Sequence, residues 1–188
     1  MHPASKYCGK AFSHLTATNK SPSEDTATMT LKVRDLMTTD VVTLRPTDTL
    51  KTAAIKFAVD NISGAPVVDG RNHLLGIISQ NDILKTLLRY QDMLDKDNFS
   101  GSAIMKHSLD SDTDDDRVNS ISEEISDITI SEIMCHTVLT TTPDESIMDL
   151  LRAMLGMDVN RVPVIEKGVV IGIISRGDIT FAMYKRKV

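Results

Sequence analysis

Gly76-Ile77-Ile78-Ser79-Gln80-Asn81-Asp82-Ile83 returns later in the chain as Gly172-Ile173-Ile174-Ser175-Arg176-Gly177-Asp178-Ile179, an offset of 96 positions. Upstream the repetition continues at an offset of 97: Pro66 with Pro163, Pro46 with Pro143, and Asp35-Leu36-Met37 with Glu132-Ile133-Met134. The one-residue slip falls where Asp69-Gly70-Arg71-Asn72-His73 in the first copy faces Glu166-Lys167-Gly168 in the second. A polar turn between two strands tolerates such a change, and Ala65-Pro66-Val67-Val68 and Leu74-Leu75-Gly76-Ile77-Ile78 supply the flanking β-branched and aliphatic runs.

Ahead of each hairpin the apolar residues recur at i, i+3, i+4, i+7 and i+8: Leu50, Ala53, Ala54, Phe57 and Ala58 in copy one, and Ile147, Leu150, Leu151, Met154 and Leu155 in copy two. This period predicts an amphipathic helix in each. Thr47 and Asp144 are the expected N-caps, with Asp48 and Glu145 in the first turns. Second helices are expected near residues 80–94 and 176–184. Each copy thus reads as a β-α-β-β-α unit in an α+β fold. A single unit leaves one sheet face uncovered, so the two copies are expected to form one pseudo-twofold pair. The expected organisation is a disordered tail over 1–28, repeat 1 over 29–94, an acidic flexible linker over 95–127 and repeat 2 over 128–188. Richness in Asp, Ser and Asn makes the linker solvated and accessible to protease. Residues 1–23 hold no Asp or Glu but carry Lys6, Lys10 and Lys20, a composition shared by organelle transit peptides; the absence of arginine there speaks for an ordinary tail.

The 188 residues are 41% hydrophobic, enough for a real core, and carry a formal net charge of −5. That balance argues against nucleic acid as the main partner, because phosphate neutralisation needs clustered Lys and Arg. No apolar run approaches the length of a membrane span, and no secretory pattern opens the chain, so the expected location is cytoplasmic with no membrane partner. Two cysteines, Cys8 and Cys135, fit a reducing compartment better than a disulfide scaffold.

The segments Val33-Arg34-Asp35-Leu36-Met37-Thr38, Ile62-Ser63-Gly64-Ala65-Pro66-Val67-Val68-Asp69 and Gly76-Ile77-Ile78-Ser79-Gln80-Asn81-Asp82-Ile83 are matched in order by Ile130-Ser131-Glu132-Ile133-Met134, Val159-Asn160-Arg161-Val162-Pro163-Val164-Ile165 and Gly172-Ile173-Ile174-Ser175-Arg176-Gly177-Asp178-Ile179. Over residues 31–94 and 128–184 the chain resembles the family of CBS domains, named after cystathionine β-synthase. The resemblance implies a compact pair of CBS repeats with two clefts, in which many relatives bind adenine nucleotides or other adenosyl ligands. It departs from the family pattern in the long acidic insert and the weakly patterned first 28 residues.

The resemblance implies that the carboxylate closing each Gly-x-x-Ser-x-x-Asp segment, Asp82 or Asp178, takes the vicinal ribose hydroxyls, for which two oxygens on one ionised group are well suited. Ser79 and Ser175 stand where a strand gives way to a helix, so hydroxyl and backbone N–H groups face an anion there. Ser-x-x-Asp before an apolar helix is also a capping arrangement, and that reading stays open for the unliganded state. Carried over position by position, cleft A combines Met37, Val42, Ile62 and Ser63 with Asn160, Arg161, Ile173, Ser175 and Asp178. Cleft B joins Met134, Leu139, Val159 and Asn160 to Ser63, Gly64, Ile77, Ser79 and Asp82. Arg161 matches Gly64, so only cleft A owns a cation there, with the geometry for two parallel bonds to phosphate.

Asp110, Asp112 and Asp114 have the opening spacing of a calcium loop, but Asp115 and Ile121 stand where that loop needs glycine and glutamate. The histidines lack zinc spacing, and no phosphate loop, nucleophile elbow or acid–base pair is present, so neither a metal nor a cofactor nor an enzyme activity is expected. The expected function is a sensor that binds AMP, ADP, ATP or a related adenosyl ligand, forms a homodimer through its helices and signals to an unidentified regulated protein. The alternative is a constitutive interaction or dimerisation module without ligand, its ten methionines forming an adaptable surface.

Overall fold

The computed structural model describes residues 31–96 and 116–185. The expectations for residues 1–28 and for the Asp110, Asp112 and Asp114 spacing lie outside them. The chain divides into two compact units that do not coincide with the sequence repeats. Unit 1 is Val42–His136, and the described part of unit 2 is residues 31–41 together with 137–185. Each unit is therefore finished by a short strap that stands, in sequence, at the start of the other repeat.

Unit 1 contains α1 (Leu50–Val59), β1 (Gly64–Val68), β2 (Leu74–Ser79) and α2 (Gln80–Lys96), followed by α3 (Asp116–Asp127) and the single turn α4 (Ile130–Ile133). Leu50, Ala53 and Phe57 line the buried stripe of α1, as the periodicity requires, whereas Ala58 is exposed. The cap lies two residues later than expected. Thr49 Oγ1 accepts from Thr52 N at 3.2 Å, because Asp48 instead closes a turn by accepting from Arg45 N at 2.8 Å. β1 and β2 pair antiparallel, with Gly64 opposite Ser79 and Pro66 opposite Ile77. The strand expected ahead of α1 is reduced to one parallel bridge, Leu44 with Val67. The hairpin turn is tied by the Asp69 carboxylate, which accepts from Arg71 N at 2.8 Å and His73 N at 2.9 Å. The bonds from the His73 backbone and ring, and after them that from Arg71 N, hold Asp69 below the usual carboxylate range.

The expectation of a flexible linker over 95–127 fails at its end. α3 packs on α1 and α2, Ile125 is fully buried, and Ile121 joins the same cluster as Phe57, Ile78 and Leu87. The cause is legible in hindsight: Ile121, Ile125 and Ile128 follow an i, i+4, i+7 spacing among the acidic residues.

Unit 2 repeats the plan with α5 (Ile147–Gly156), β3 (Arg161–Glu166), β4 (Val169–Ser175) and α6 (Arg176–Lys185). Its core holds Val33, Ile147, Leu150, Met154, Val162, Val164, Ile174 and Ile179. Lys167 at φ 52° and Gly168 at φ 84° make the tight two-residue turn that the shorter second hairpin needs. The cap of α5 is Ser146, not Asp144. Asp144 instead accepts from Lys32 Nζ at 2.9 Å and pairs with Arg34, which anchors the strap and lowers the Asp144 pKa. Among the described residues no helix is long and apolar enough to cross a membrane. Cys135 is disulfide-bonded, a departure from the reading of two reduced thiols; Cys8 lies outside the described residues.

Candidate functional site

In each unit the strap crosses the second strand at the glycine of Gly-x-x-Ser. In unit 2, Thr38 and Ile173 exchange both backbone bonds at 2.9 Å. A Cβ on Gly172 would stand 2.8 Å from Met37 Sδ and 3.2 Å from Thr38 O, so a larger residue would have to push the methionine aside and the strap back by a few tenths of an ångström. In unit 1, Ile77 and Cys135 exchange the equivalent bonds at 3.0 and 2.8 Å, and a Cβ on Gly76 would meet Met134 Sδ at 2.7 Å and Cys135 O at 2.9 Å. The two strap partners Thr38 and Cys135 were missed from the sequence, although each follows the methionine of a matched segment.

Two residues further on, β4 ends at Ser175 and α6 begins. The Asp178 carboxylate accepts from Ser175 N and from Ser175 Oγ, both at 2.7 Å, and Asp178 N donates back to Ser175 Oγ at 3.2 Å. Unit 1 repeats this at Asp82, which accepts from Ser79 N at 2.9 Å and Ser79 Oγ at 2.6 Å. The capping reading of Ser-x-x-Asp therefore describes this structure. All four carboxylate bonds fall on Oδ2, and a carboxylate carries roughly four lone-pair sites, so each Asp keeps acceptor capacity beyond its cap.

The flanking residues separate the units. Arg161 lies directly across the β3–β4 ladder from Ser175. Its guanidinium is half-buried; burial lowers its pKa, and the charge of Asp178 opposes that shift. Gly64 holds the same place opposite Ser79 in unit 1. Unit 2 thus brings together Met37, Arg161, Ile173, Ser175 and Asp178, a cation and an anion flanking the end of one strand. Unit 1 brings together Met134, Gly64, Ile77, Ser79 and Asp82.

The remaining expected residues play supporting parts within their own units. Ser63 O accepts from Gln80 N and Asn160 O accepts from Arg176 N, each at 3.0 Å, so both fix the start of a helix through the backbone. Ile62 packs on the core of unit 1, and Leu139 and Val159 pack on that of unit 2. Val42, in unit 1, is half-buried. The loops that carry these residues leave α1 and α5 through Asn61 at φ 51° and Asp158 at φ 52°, left-handed positions that Asn and Asp tolerate. Sequence reading also missed Gln80 and Arg176, which tie those loops down: Gln80 Nε2 donates to Ile62 O at 3.2 Å, and Arg176 Nη2 donates to Met154 O at 3.0 Å and Asp158 at 3.1 Å. Among the described residues no group of three or more His, Cys, Asp or Glu is placed to hold a metal ion.

The family model for the CBS domain matches residues 33–89 and 130–185. Uncharacterized protein MJ1426 of Methanocaldococcus jannaschii is 28% identical over 155 residues, 80% of this chain and 90% of that one. The next two curated relatives are longer, and the matches span 40% and 38% of their lengths. Among solved structures, the CBS domain pair of protein MJ0100, in complex with 5-methylthioadenosine and S-adenosyl-L-methionine, superposes with a TM-score of 0.60 at 23% identity, covering 83% of this chain and 98% of that one. CBSX2 from Arabidopsis thaliana in complex with AMP gives a TM-score of 0.59 at 20% identity, covering 84% and 98%.

Proposed function

From the premise that the chain belongs to the CBS domain family, we propose that it is a regulatory module that binds a phosphorylated adenosyl ligand and reports its presence to another protein. The observation that carries this reading is the grouping at the end of β4: Asp178 beside Ser175, with the half-buried Arg161 across the ladder. A guanidinium held there offers paired donors to phosphate, and the carboxylate beside it offers acceptors to ribose hydroxyls. The adenosyl ligands bound by the CBS pair of MJ0100 and by CBSX2 support the ligand class. On this reading, Asp178 gives up part of its bonding to Ser175 when ribose arrives, and binding is coupled to the geometry at the start of α6. Coupling of this kind lets a ligand shift a protein between states according to its differential affinity for them.

The homodimer belongs to the proposal as well. Ile55, Val59, Leu84 and Leu88 are exposed on α1 and α2, an apolar surface suited to a second copy. The closed Ser79–Asp82 and Ser175–Asp178 caps favour the second reading, a constitutive assembly module that holds no ligand. A thermal-shift series with AMP, ADP, ATP, S-adenosylmethionine and NADH separates the two. A ligand bound only by the folded state raises its melting temperature, and a flat response to all five at millimolar concentration overturns the sensor reading.

A further inference from the structure

A methionine stands at both strap crossings, and the two copies expose it differently. In unit 1 the thioether of Met134 belongs to the core, and the residue is 7% exposed. In unit 2 Met37 packs against the core from its edge and is only half-buried. Each thioether fills the space that a side chain on the facing glycine would take. Met134 Sδ and Cγ lie 2.7 and 3.1 Å from a Cβ placed on Gly76, and Met37 Sδ and Cγ lie 2.8 and 3.3 Å from one placed on Gly172. The next residue of each strap exchanges backbone bonds with the second strand, Cys135 with Ile77 and Thr38 with Ile173. A chemical change at either methionine is therefore passed to the bonds that hold its strap.

A hydroperoxide oxidises a thioether in one two-electron step. The sulfur lone pair attacks the terminal peroxide oxygen; an S–O bond forms, the O–O bond breaks, and the proton of the transferred oxygen goes to the other, which leaves as water or an alcohol. The oxidant must reach the sulfur, so exposure ranks the candidates. Met148 and Met183, 56% and 67% exposed, stand first, and the fully buried Met154 stands last. The two exposed sulfurs are carried by α5 and α6 and not by a strap. Met37 is the methionine that is both partly open to the oxidant and set on a strap.

The product is a polar acceptor in place of an apolar side chain. The backbone donors at the crossing are already engaged: Thr38 N by Ile173 O, Ile173 N by Thr38 O and Met37 N by Val33 O, each at 2.9 Å. A sulfoxide oxygen either turns to water, lifting the sulfur off Gly172, or competes for one of these amides. Both outcomes weaken the hold of the strap on β4, because a buried acceptor without a partner is costly.

We propose that Met37 is a reversible oxidation site, at which a hydroperoxide forms the sulfoxide and loosens the strap of unit 2 while the strap of unit 1 stays closed. A methionine sulfoxide reductase reverses the step, two thiols becoming a disulfide as the oxygen leaves in water. The inference does not depend on a nucleotide being bound. In the test the full chain is treated with hydrogen peroxide, freed of it, and followed by peptide mass spectrometry and hydrogen exchange. Sulfoxide should form at Met37 after Met148 and Met183 but well before Met134. The amides of Thr38 and Ile173 should then exchange roughly 10-fold faster, the scale of one buried polar group left without a partner, while those of Ile77 and Cys135 hold. Met37→Leu keeps an apolar side chain of similar volume and should abolish the response, whereas Met157→Leu, at the other half-buried methionine of unit 2, should leave it intact. Met37→Gln, with a polar acceptor of similar length, should reproduce it without peroxide, and the reductase with a dithiol should restore slow exchange in the oxidised wild type. Acceleration that persists in Met37→Leu, or that Met157→Leu removes, assigns the effect to another methionine and overturns the proposal. So does oxidation of Met134 at the rate of Met37, or a Met37 sulfoxide that leaves both amides unchanged.

Discussion

In unit 1 the strap that meets β2 is reached through α3, whose Ile125 is fully buried; in unit 2 the strap that meets β4 is held by Lys32 and Arg34 on an exposed Asp144. The register sets Thr129, Ser131 and Thr47 in the places of Lys32, Arg34 and Asp144, so the ionic latch has no counterpart in unit 1. Yet the backbone bonds that the straps make are nearly superposable. Backbone pairing is thus the repeated element, and the side chains that secure it are free to diverge. The candidate site follows the same rule, with Ser and Asp in both copies but arginine beside only one.

The comparison breaks first at Ile125. Ile125→Ala should cost about 2–5 kcal/mol, as for other fully buried aliphatic side chains. Hydrogen exchange should quicken at the amides of Phe57 and Ile78 while those of Val164 and Ile174 hold; equal acceleration in both units would show that α3 is not specific to unit 1.

The site asymmetry comes next. If Arg161 and Asp178 make unit 2 the tighter half, Asp178→Ala should weaken nucleotide binding roughly 10- to 150-fold, the scale of a lost charged hydrogen bond, and Asp82→Ala should change the main event little. Arg161→Ala should weaken AMP but spare adenosine. Calorimetry on the three variants decides it: a reversed order for the aspartates reverses the assignment, and equal losses for adenosine and AMP remove the phosphate role.

The strap crossings differ by a few tenths of an ångström. Gly76→Ala should destabilise by about 1–3 kcal/mol, the usual range for overpacking, and Gly172→Ala by less, because the opposing carbonyl stands at 3.2 Å and not 2.9 Å from the added carbon. Urea midpoints at unchanged slope measure both. A larger loss at Gly172 would mean that the methionine, rather than the carbonyl, sets the limit.

The smallest effect is electrostatic. The hydrogen bond from Lys32 and the charge of Arg34 favour the ionised form of Asp144 in the folded state, so its folded pKa lies below the unfolded value of about 3.9. Its contribution is present above that value and is lost as pH falls through the folded pKa. The melting temperatures of wild type and Asp144→Asn should therefore differ slightly near about pH 6 and converge near about pH 3. A gap that persists in acid would assign it to packing.

Period and turn chemistry made both hairpins, α1, α5 and the starts of α2 and α6 legible in the sequence, because each is decided by neighbours a few residues apart. α3 was lost among its acids, although the spacing of Ile121, Ile125 and Ile128 was there to be read. The caps were misplaced because Thr47-Asp48-Thr49 offers three capping residues in a row, and the choice turns on Asp48 reaching Arg45 N. The strap exchange was legible only through the family resemblance, which sets Met37 beside Ile173 and Met134 beside Ile77; as strings, Asp35-Leu36-Met37 and Glu132-Ile133-Met134 are interchangeable, and the tertiary bonds are what say which strand each one meets. Of the candidate site, the sequence offered Ser79–Asp82 and Ser175–Asp178 with capping as an open reading, and only the distances show the caps closed.

The exchanged straps also set an order of events during synthesis. The described part of unit 1 lies within residues 42–136, so all of it has been made once His136 has been added. The first strap of unit 2, by contrast, emerges before unit 1, and its Thr38 has no β4 to meet until Val169, about 130 residues later, has been added. Closing a loop of that length carries an entropic cost that local contacts do not. Translation at about 5–20 residues per second leaves Met37 and Thr38 waiting for roughly 7–26 seconds. A pause or truncation after residue 136 would accordingly release a chain with one finished half and an idle strap, open to capture by the β4 of another molecule.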